Sequence, residues 1–405
     1  MRIALITREY PPETSWGGIG THYAAFAAGL RDAGCEVEVF TQGLHEASSR
    51  KQDGLLVHRV LPRTRAVGAR RGGELAGGSL NTIGLFSLAL AREFAKAFYA
   101  RHEGAAFNVV DSHEHLGVSS LILRRTNPDL LTVTRYQTPY DSIVTRHMAN
   151  WPRSRLVRWL ENMAINKARV RVATSHSIEF IVRRDFPSAP PAEEIIPNLS
   201  GISFTGEAVT PIDEREPLML FVGRLMPGHK NPDHAAEVFR RISADYPDWR
   251  IEFAGSDIPL GDNATMWGRC EEILRSYPGR YHYHGMLESD AVRQLYRSAR
   301  ILIVPSRIES YGLVALEAMS NGCVPLVADK TALPEVVGNG GLVFENGNID
   351  SLEKALRQLL DNEELCRQCQ QAGLQRVQTE LSNDTIIGMN IALYERELAK
   401  IRGAN

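Results

Sequence analysis

Two carboxylates and a glycine lie close together in PSRIESYGLVALEAMSNG, residues 305–322. The preceding ILIVPS is an apolar, β-branched run that predicts a strand, and a helix is expected from Leu313 onward. Glu309 then sits in a loop at the carboxyl end of a strand, the edge at which open α/β sheets bind ligands. Gly312 lets the backbone pass close to a ligand. The amides of Tyr311, Gly312 and Leu313 would face a diphosphate at the helix N-terminus, where the dipole favours negative charge. Eight residues of separation do not superimpose two groups on one helix, so Glu309 is read as a loop residue and Glu317 as a first-turn residue. Together they would grip two parts of one ligand, Glu309 the hydroxyls of a sugar and Glu317 two hydroxyls of a ribose. Arg224 and Lys230 flank LMPGHK, after another strand of the same half. Such a pair would neutralise a diphosphate and stabilise it as a leaving group. Alone, each is an ordinary solvated charge; sharing a sheet edge with Glu309 is what favours a binding role.

The first half offers two further clusters. VVDSHEHLG puts His113, Glu114 and His115 just after a strand. An HxH pair can hold zinc, but no third ligand stands at a recognisable spacing. His113 is therefore read as a hydrogen-bonding group at a sheet's carboxyl edge. In SWGGIGTH, Gly18 and Gly20 match G-x-G, yet Tyr23 takes the place of the third glycine. The following strand, VEVFT, leads to Gln42 rather than to an acid for a ribose, so NAD is not expected. Gly18 still opens a helix where an anion can approach. Cys366 and Cys369 form a CxxC inside EELCRQCQQAG, a mid-helix setting unlike a redox or metal motif.

The elements that must position these residues read as two similar halves. The chain has 405 residues, too many for one core, with 43% hydrophobic and 23% charged residues. RIALIT, a glycine-rich loop, the helix YAAFAAGLRDAG and the strand VEVFT make one unit. LMLFVGRL, the loop MPGHKN, the helix PDHAAEVFRRISADY and the strand RIEFAG make another. The expectation is an α/β protein of two Rossmann-like domains facing each other across a cleft. Residues 1–200 are expected to form the N-terminal domain and 201–384 the C-terminal domain, with a last helix at about 385–405 returning to the first. RTRAVGARRGGELAGGSLNT, residues 63–82, reads as an irregular insertion. A net charge of -2 excludes a general polyanion binder, so no nucleic-acid partner is expected. No apolar run reaches the roughly 18 residues of a membrane span, and MRIALIT lacks the apolar region of a signal peptide. Five cysteines, an odd number, point to a reducing cytoplasm. Basic and aromatic residues in NWPRSRLVRWLENMA suggest peripheral membrane contact at most, with core packing favoured.

Taken in order, GGIGTH, SHEH, IPN, FVGRLMPGHKN, HG, PSRIESYGLVALEAMSNG and VPLVA resemble the retaining GT-B glycosyltransferases of family 4 (glycosyl transferases group 1) type. The resemblance implies a transferase that moves a sugar from a nucleoside-diphosphate sugar to an acceptor hydroxyl, keeping the donor's α linkage. By position, Glu309 resembles the carboxylate beside the transferred sugar, and His113 the histidine near the reacting centre. Glu317 resembles the ribose ligand, Arg224 and Lys230 the diphosphate pair, and Gly18 the glycine that approaches the diphosphate. It implies no cofactor and no metal, the basic pair and helix amides standing in for a cation. The expected acceptor is a small molecule, a glycan or a lipid-linked group. IPNLSGI departs from the family's IPNG followed by an apolar residue and Asp. Tyr136 stands where many members carry histidine. A sugar-nucleotide epimerase of the same fold and a non-catalytic sugar-nucleotide binder are the alternatives.

Overall fold

The computed structural model describes residues 1–14, 17–62, 80–125, 127–140, 142, 155–202, 206–261 and 264–403. The chain forms two compact units, one made of Met1–Gly201 with the chain from Asn383 onward, the other Ile202–Ser382.

The first unit is built on an eight-stranded sheet. Its strands are β1 (Arg2–Ile6), β2 (Glu36–Gln42), β3 (Ser48–Gln52), β4 (Leu55–Val60), β5 (Val109–His113), β6 (Leu131–Tyr136), β7 (Val170–Ala173) and β8 (Glu194–Ile195). They lie in the order β3-β4-β2-β1-β5-β6-β7-β8, all parallel except the antiparallel edge pair β3 and β4. Apolar residues alternate between two covered faces, which is why the strands read as continuous hydrophobic runs. Ile3 and Leu5 pack with Tyr23, Phe26 and Leu30 of the helix Gly18–Asp32 and with Ile386, Ile387 and Tyr394 of the last helix, Asn383–Gly403. Ala4 and Ile6 pack on the opposite face with Phe86, Leu90, Phe94 and Phe98 of the helix Leu80–Ala105. The last helix seats closely because position 29 is glycine; a Cβ there would lie 2.7 Å from the Ile387 side chain.

The second unit carries β9 (Glu216–Val222), β10 (Arg250–Ala254), the short pair β11 (Pro259–Gly261) and β12 (Ala264–Thr265), β13 (Tyr281–Tyr283), β14 (Ala299–Val304), β15 (Val324–Ala328) and β16 (Leu342–Phe344). Its main sheet runs β13-β10-β9-β14-β15-β16.

Several sequence expectations change in detail. Most of the insertion at 63–82 lies outside the described residues, as do residues 150–154 of the basic, aromatic stretch. From Arg155 that stretch is a helix to Lys167, burying Val157, Leu160, Ala164 and Ile165. It packs as core, although Trp159 remains half exposed. The helix Gly18–Asp32 starts earlier than the apolar run YAAFAAGL suggests, because Gly17 caps it. Cys366 and Cys369 fall at the fourth and seventh positions of the helix Glu363–Thr379, not at its middle. Both are buried, and burial pushes the Cys366 thiol up to about 11, leaving a thiol too inert for exchange. Tyr136 is a core residue whose hydroxyl donates to the Pro190 carbonyl at 2.9 Å.

Candidate active site

In the second sheet the chain proceeds one way from β9, through β10 to β13, and the other way from β14 to β16. The strand order therefore reverses between β9 and β14, the place along the carboxyl edge at which open α/β sheets bind ligands. Five of the residues singled out in the sequence occupy the loops that follow these two strands.

The two loops are stitched to each other by backbone. The Arg307 amide donates to the His229 carbonyl at 2.8 Å. The Asn231 side chain, buried beneath the loops, donates to the Pro305 carbonyl at 3.0 Å. Within the first loop, the amides of Lys230 and Asn231 both donate to the Met226 carbonyl, at 3.0 and 3.1 Å. This closed turn presents the Lys230 ammonium to the Glu309 carboxylate, with which it is hydrogen-bonded. The pair is partly shielded, the two side chains being 21% and 12% exposed. Arg224 is half-buried two residues beyond β9.

Gly312 decides how the second loop enters its helix. Its φ of 102° and ψ of 49° are left-handed, and a Cβ would lie 2.6 Å from the Leu333 side chain. Only glycine takes this conformation without strain. It allows the chain to turn from the Glu309 loop directly into the helix Leu313–Ser320, whose N-terminus has no side-chain cap. The first amides of a helix lack intrahelical partners, so this end is open to an anion. Because the helix begins at Leu313, Glu317 is its fifth residue and lies in the second turn, not the first. Its carboxylate is buried and accepts a 3.2 Å bond from the hydroxyl of Tyr296, itself fully buried. Tyr311 is also buried, which leaves its backbone as the part that can meet a ligand.

The first unit repeats this logic, its strand order reversing between β1 and β5. His113 is the last residue of β5 itself. Its Nε2 lies 3.4 Å from the Thr7 hydroxyl and 3.4 Å from the Arg8 amide, both just beyond β1. No described group completes a hydrogen bond to Nδ1, although the His115 backbone acts on the ring. Burial, helped by His115 and Arg8, pushes the ring well below the ordinary histidine range, so it is neutral at physiological pH. Burial also lowers His115, to about 4, while its Nδ1 meets the Thr138 carbonyl at 2.9 Å. Glu114 turns away from any ligand: both oxygens accept the Gln137 amide at 2.9 Å. Burial pushes its carboxyl up to about 8 against the pull of these amides. Gly18 is the first residue of its helix and is exposed. Glu9 leans on that N-terminus, its carboxylate 3.7 Å from where a Gly17 Cβ would be. Among the described residues no three of His, Cys, Asp and Glu gather into a cation-binding group.

Sequence reading missed Thr7, Arg8, Asn231 and Tyr296. The first three stand at carboxyl ends of strands or helix entries, a signal available in principle. Tyr296 gives none, since an aromatic residue at helical spacing reads as core.

Comparisons with known proteins cover both halves of the chain. Residues 17–198 match the family model "Glycosyl transferase 4-like domain" and residues 205–376 match "Glycosyl transferases group 1". The alpha-maltose-1-phosphate synthase of Mycolicibacterium smegmatis is 24% identical over 98% of this chain and 99% of its own. The fold is similar to that of sucrose-phosphate synthase from Thermosynechococcus elongatus, with TM-score 0.76, 20% identity and coverage of 98% and 99%. It is also similar to Anabaena HepE in complex with UDP and glucose, with TM-score 0.69, 14% identity and coverage of 98% and 100%. With both halves matched in order on two parallel α/β sheets, the chain belongs to the GT-B glycosyltransferases of the glycosyl transferases group 1, or family 4, type.

Proposed function

We propose that this glycosyltransferase takes its sugar from a nucleoside diphosphate, retains the anomeric configuration and needs no metal ion. The observation that carries the reading is the contact of Lys230 with Glu309 beside the uncapped helix opened by Gly312. A cation beside helix-entry amides that lack intrahelical partners suits a diphosphate. A carboxylate next to them suits the hydroxyls of the sugar that the diphosphate carries. UDP and glucose bound to the similarly folded HepE fit the same ligand class.

In this reading Lys230, Arg224 and the amides of Tyr311, Gly312 and Leu313 take up the negative charge that grows on the diphosphate as the glycosidic bond breaks. Gly18 opens the first unit's helix N-terminus, an end that favours an anion such as a phosphate. Glu309 holds the sugar, Glu317 the ribose, and neutral His113 donates or accepts a hydrogen bond at the reacting centre. The acceptor oxygen bonds to the anomeric carbon on the face the diphosphate leaves, and the acceptor's proton passes to the departing phosphate oxygen. Basic side chains and amides supply the charge stabilisation that a divalent ion supplies elsewhere.

Thermal shift against UDP-glucose, GDP-mannose and ADP-glucose in EDTA tests the proposal. Ligand at about 100 times its Kd adds roughly 2.7 kcal/mol of stability, so a true donor stands clear of its rivals. Stabilisation that appears only with Mg²⁺ or Mn²⁺ overturns metal independence. Glu309→Gln should keep donor affinity and lose transfer; retained transfer removes Glu309 from the chemistry.

A further inference from the structure

Directly below His113 lies a charged pair that the proposed chemistry does not use. Asp111 and Arg135, on the adjacent strands β5 and β6, are both fully buried. The guanidinium donates from Nε and Nη2 to the two carboxylate oxygens, each at 2.8 Å. Arg135 also lies 4.5 Å over the Phe26 ring. A buried ion pair gives no more stability than apolar residues of equal volume, and one left short of hydrogen bonds is costly. Here the last helix adds partners to it, although Arg135 Nη1 meets none among the described residues. Tyr394 donates its hydroxyl to Asp111 Oδ2 at 2.6 Å and accepts from Arg135 at 3.1 Å. Asn390, one turn earlier on the same face, accepts from Arg135. Its amide orientation is fixed by a 2.7 Å bond to the Ile386 carbonyl.

The pair reaches His113 by two routes. Asp111 and His113 are two apart on β5 and share a face, and His113 stands in register with Arg135. Tyr23, also fully buried, donates to Asp111 Oδ1 at 3.4 Å. The Tyr23 ring meets the His113 ring edge to face, centroids 5.6 Å apart. We infer that Tyr394 and Asn390 are positioning residues for His113, acting through Asp111, Arg135 and Tyr23. The C-terminal helix thus sets the ring that the proposed chemistry uses, and the inference rests on that proposed role of His113.

The test compares wild type with Tyr394→Phe, which removes one hydroxyl and keeps the ring. The first readout is the imidazole ¹⁵N spectrum of histidine-labelled protein, with His113 assigned by His113→Gln. Expected are shifted ¹⁵N resonances of the His113 ring with those of His282 and His284, in the other unit, unmoved. The second is nucleoside diphosphate release by donor hydrolysis, water taking the sugar, from whichever of UDP-glucose, GDP-mannose and ADP-glucose gives the largest thermal shift. Expected is kcat lower on the order of tenfold with KM for the donor unchanged, the cost of slightly misplacing a reacting group. Leu398→Ala, one turn beyond Tyr394 and with no polar group to offer the pair, controls for destabilisation and should lower Tm with kcat intact. Tyr394→Phe that lowers Tm but leaves both the His113 spectrum and kcat as in wild type overturns the inference. Should Tyr394→Phe not fold, Tyr23→Phe interrupts the same link from its other end and is read identically. His113→Ala run alongside separates the two ideas: full activity there sinks the role of His113, while lost activity with a normal Tyr394→Phe sinks only the positioning.

Discussion

Replacing Lys230 by methionine removes the ammonium and keeps the stem, so it isolates the charge facing the diphosphate. A hydrogen bond to a charged group is worth about 1.5–3 kcal/mol. In the free protein, however, Lys230 is bound to Glu309, with the two side chains 21% and 12% exposed. Ligand must displace that partner, and this partly shielded pair offsets about 1 kcal/mol of the gain. The net loss on Lys230→Met is then about 0.5–2 kcal/mol, a factor of roughly 2–30 in Kd. Stability should fall by at most about 1 kcal/mol, some 2–4 °C in Tm for a domain of this size. Glu309→Gln frees the lysine, so UDP should bind no more weakly, and up to about fivefold more tightly, than to wild type. Isothermal titration with UDP, GDP and ADP and with the corresponding nucleosides measures all of this. The reasoning is refuted if the diphosphates keep their affinity within twofold, or if nucleoside and diphosphate weaken equally. It fails too if Glu309→Gln weakens UDP as much as Lys230→Met does.

Three other outcomes follow from the geometry. Asp111→Asn leaves the buried Arg135 charge uncompensated and should cost about 3–5 kcal/mol, whereas Asp111→Leu with Arg135→Met should recover most of it in urea titrations. Gly312→Ala forces an alanine to a φ of 102° and its Cβ to 2.6 Å from Leu333. The cost should be about 1–3 kcal/mol, with a weakened thermal-shift response to the donor. Burial holds His115 at about 4, below its unfolded value, so the unfolded chain binds the proton first as pH falls. Stability is lost between about pH 6.5 and 4, His113 and His22 act in the same direction, and His115→Gln should flatten that limb by up to one proton. Glu114, raised to about 8, works oppositely: its contribution is present below its unfolded value and is lost as pH rises toward 8.

How much was legible depended on whether the information was local. Runs such as ILIVPS and VPLVA reveal strands because parallel strands covered on both faces must be apolar throughout. Gly312 reveals a left-handed turn, because the glycine directly precedes a helical pattern and other residues are strained there. Those two signals, with Glu309, Lys230 and Arg224 at strand ends, yield the class of fold and the candidate site before any coordinates. The helix begins at Leu313 as expected, but Glu317 is its fifth residue and so falls in the second turn rather than the first, since one turn takes about 3.6 residues.

Residue identity and spacing thus determined which groups stand at the carboxyl edges of the two sheets. Tertiary structure alone decided that Lys230 meets Glu309, 79 positions away in the chain. It alone decided that Tyr394 reaches Asp111 across 283 positions. The reason is physical: strand and turn preferences act over a few residues, whereas ion pairs and buried hydrogen bonds form wherever packing brings their partners together. No periodicity in the chain could announce that its last helix would satisfy a charge on its fifth strand.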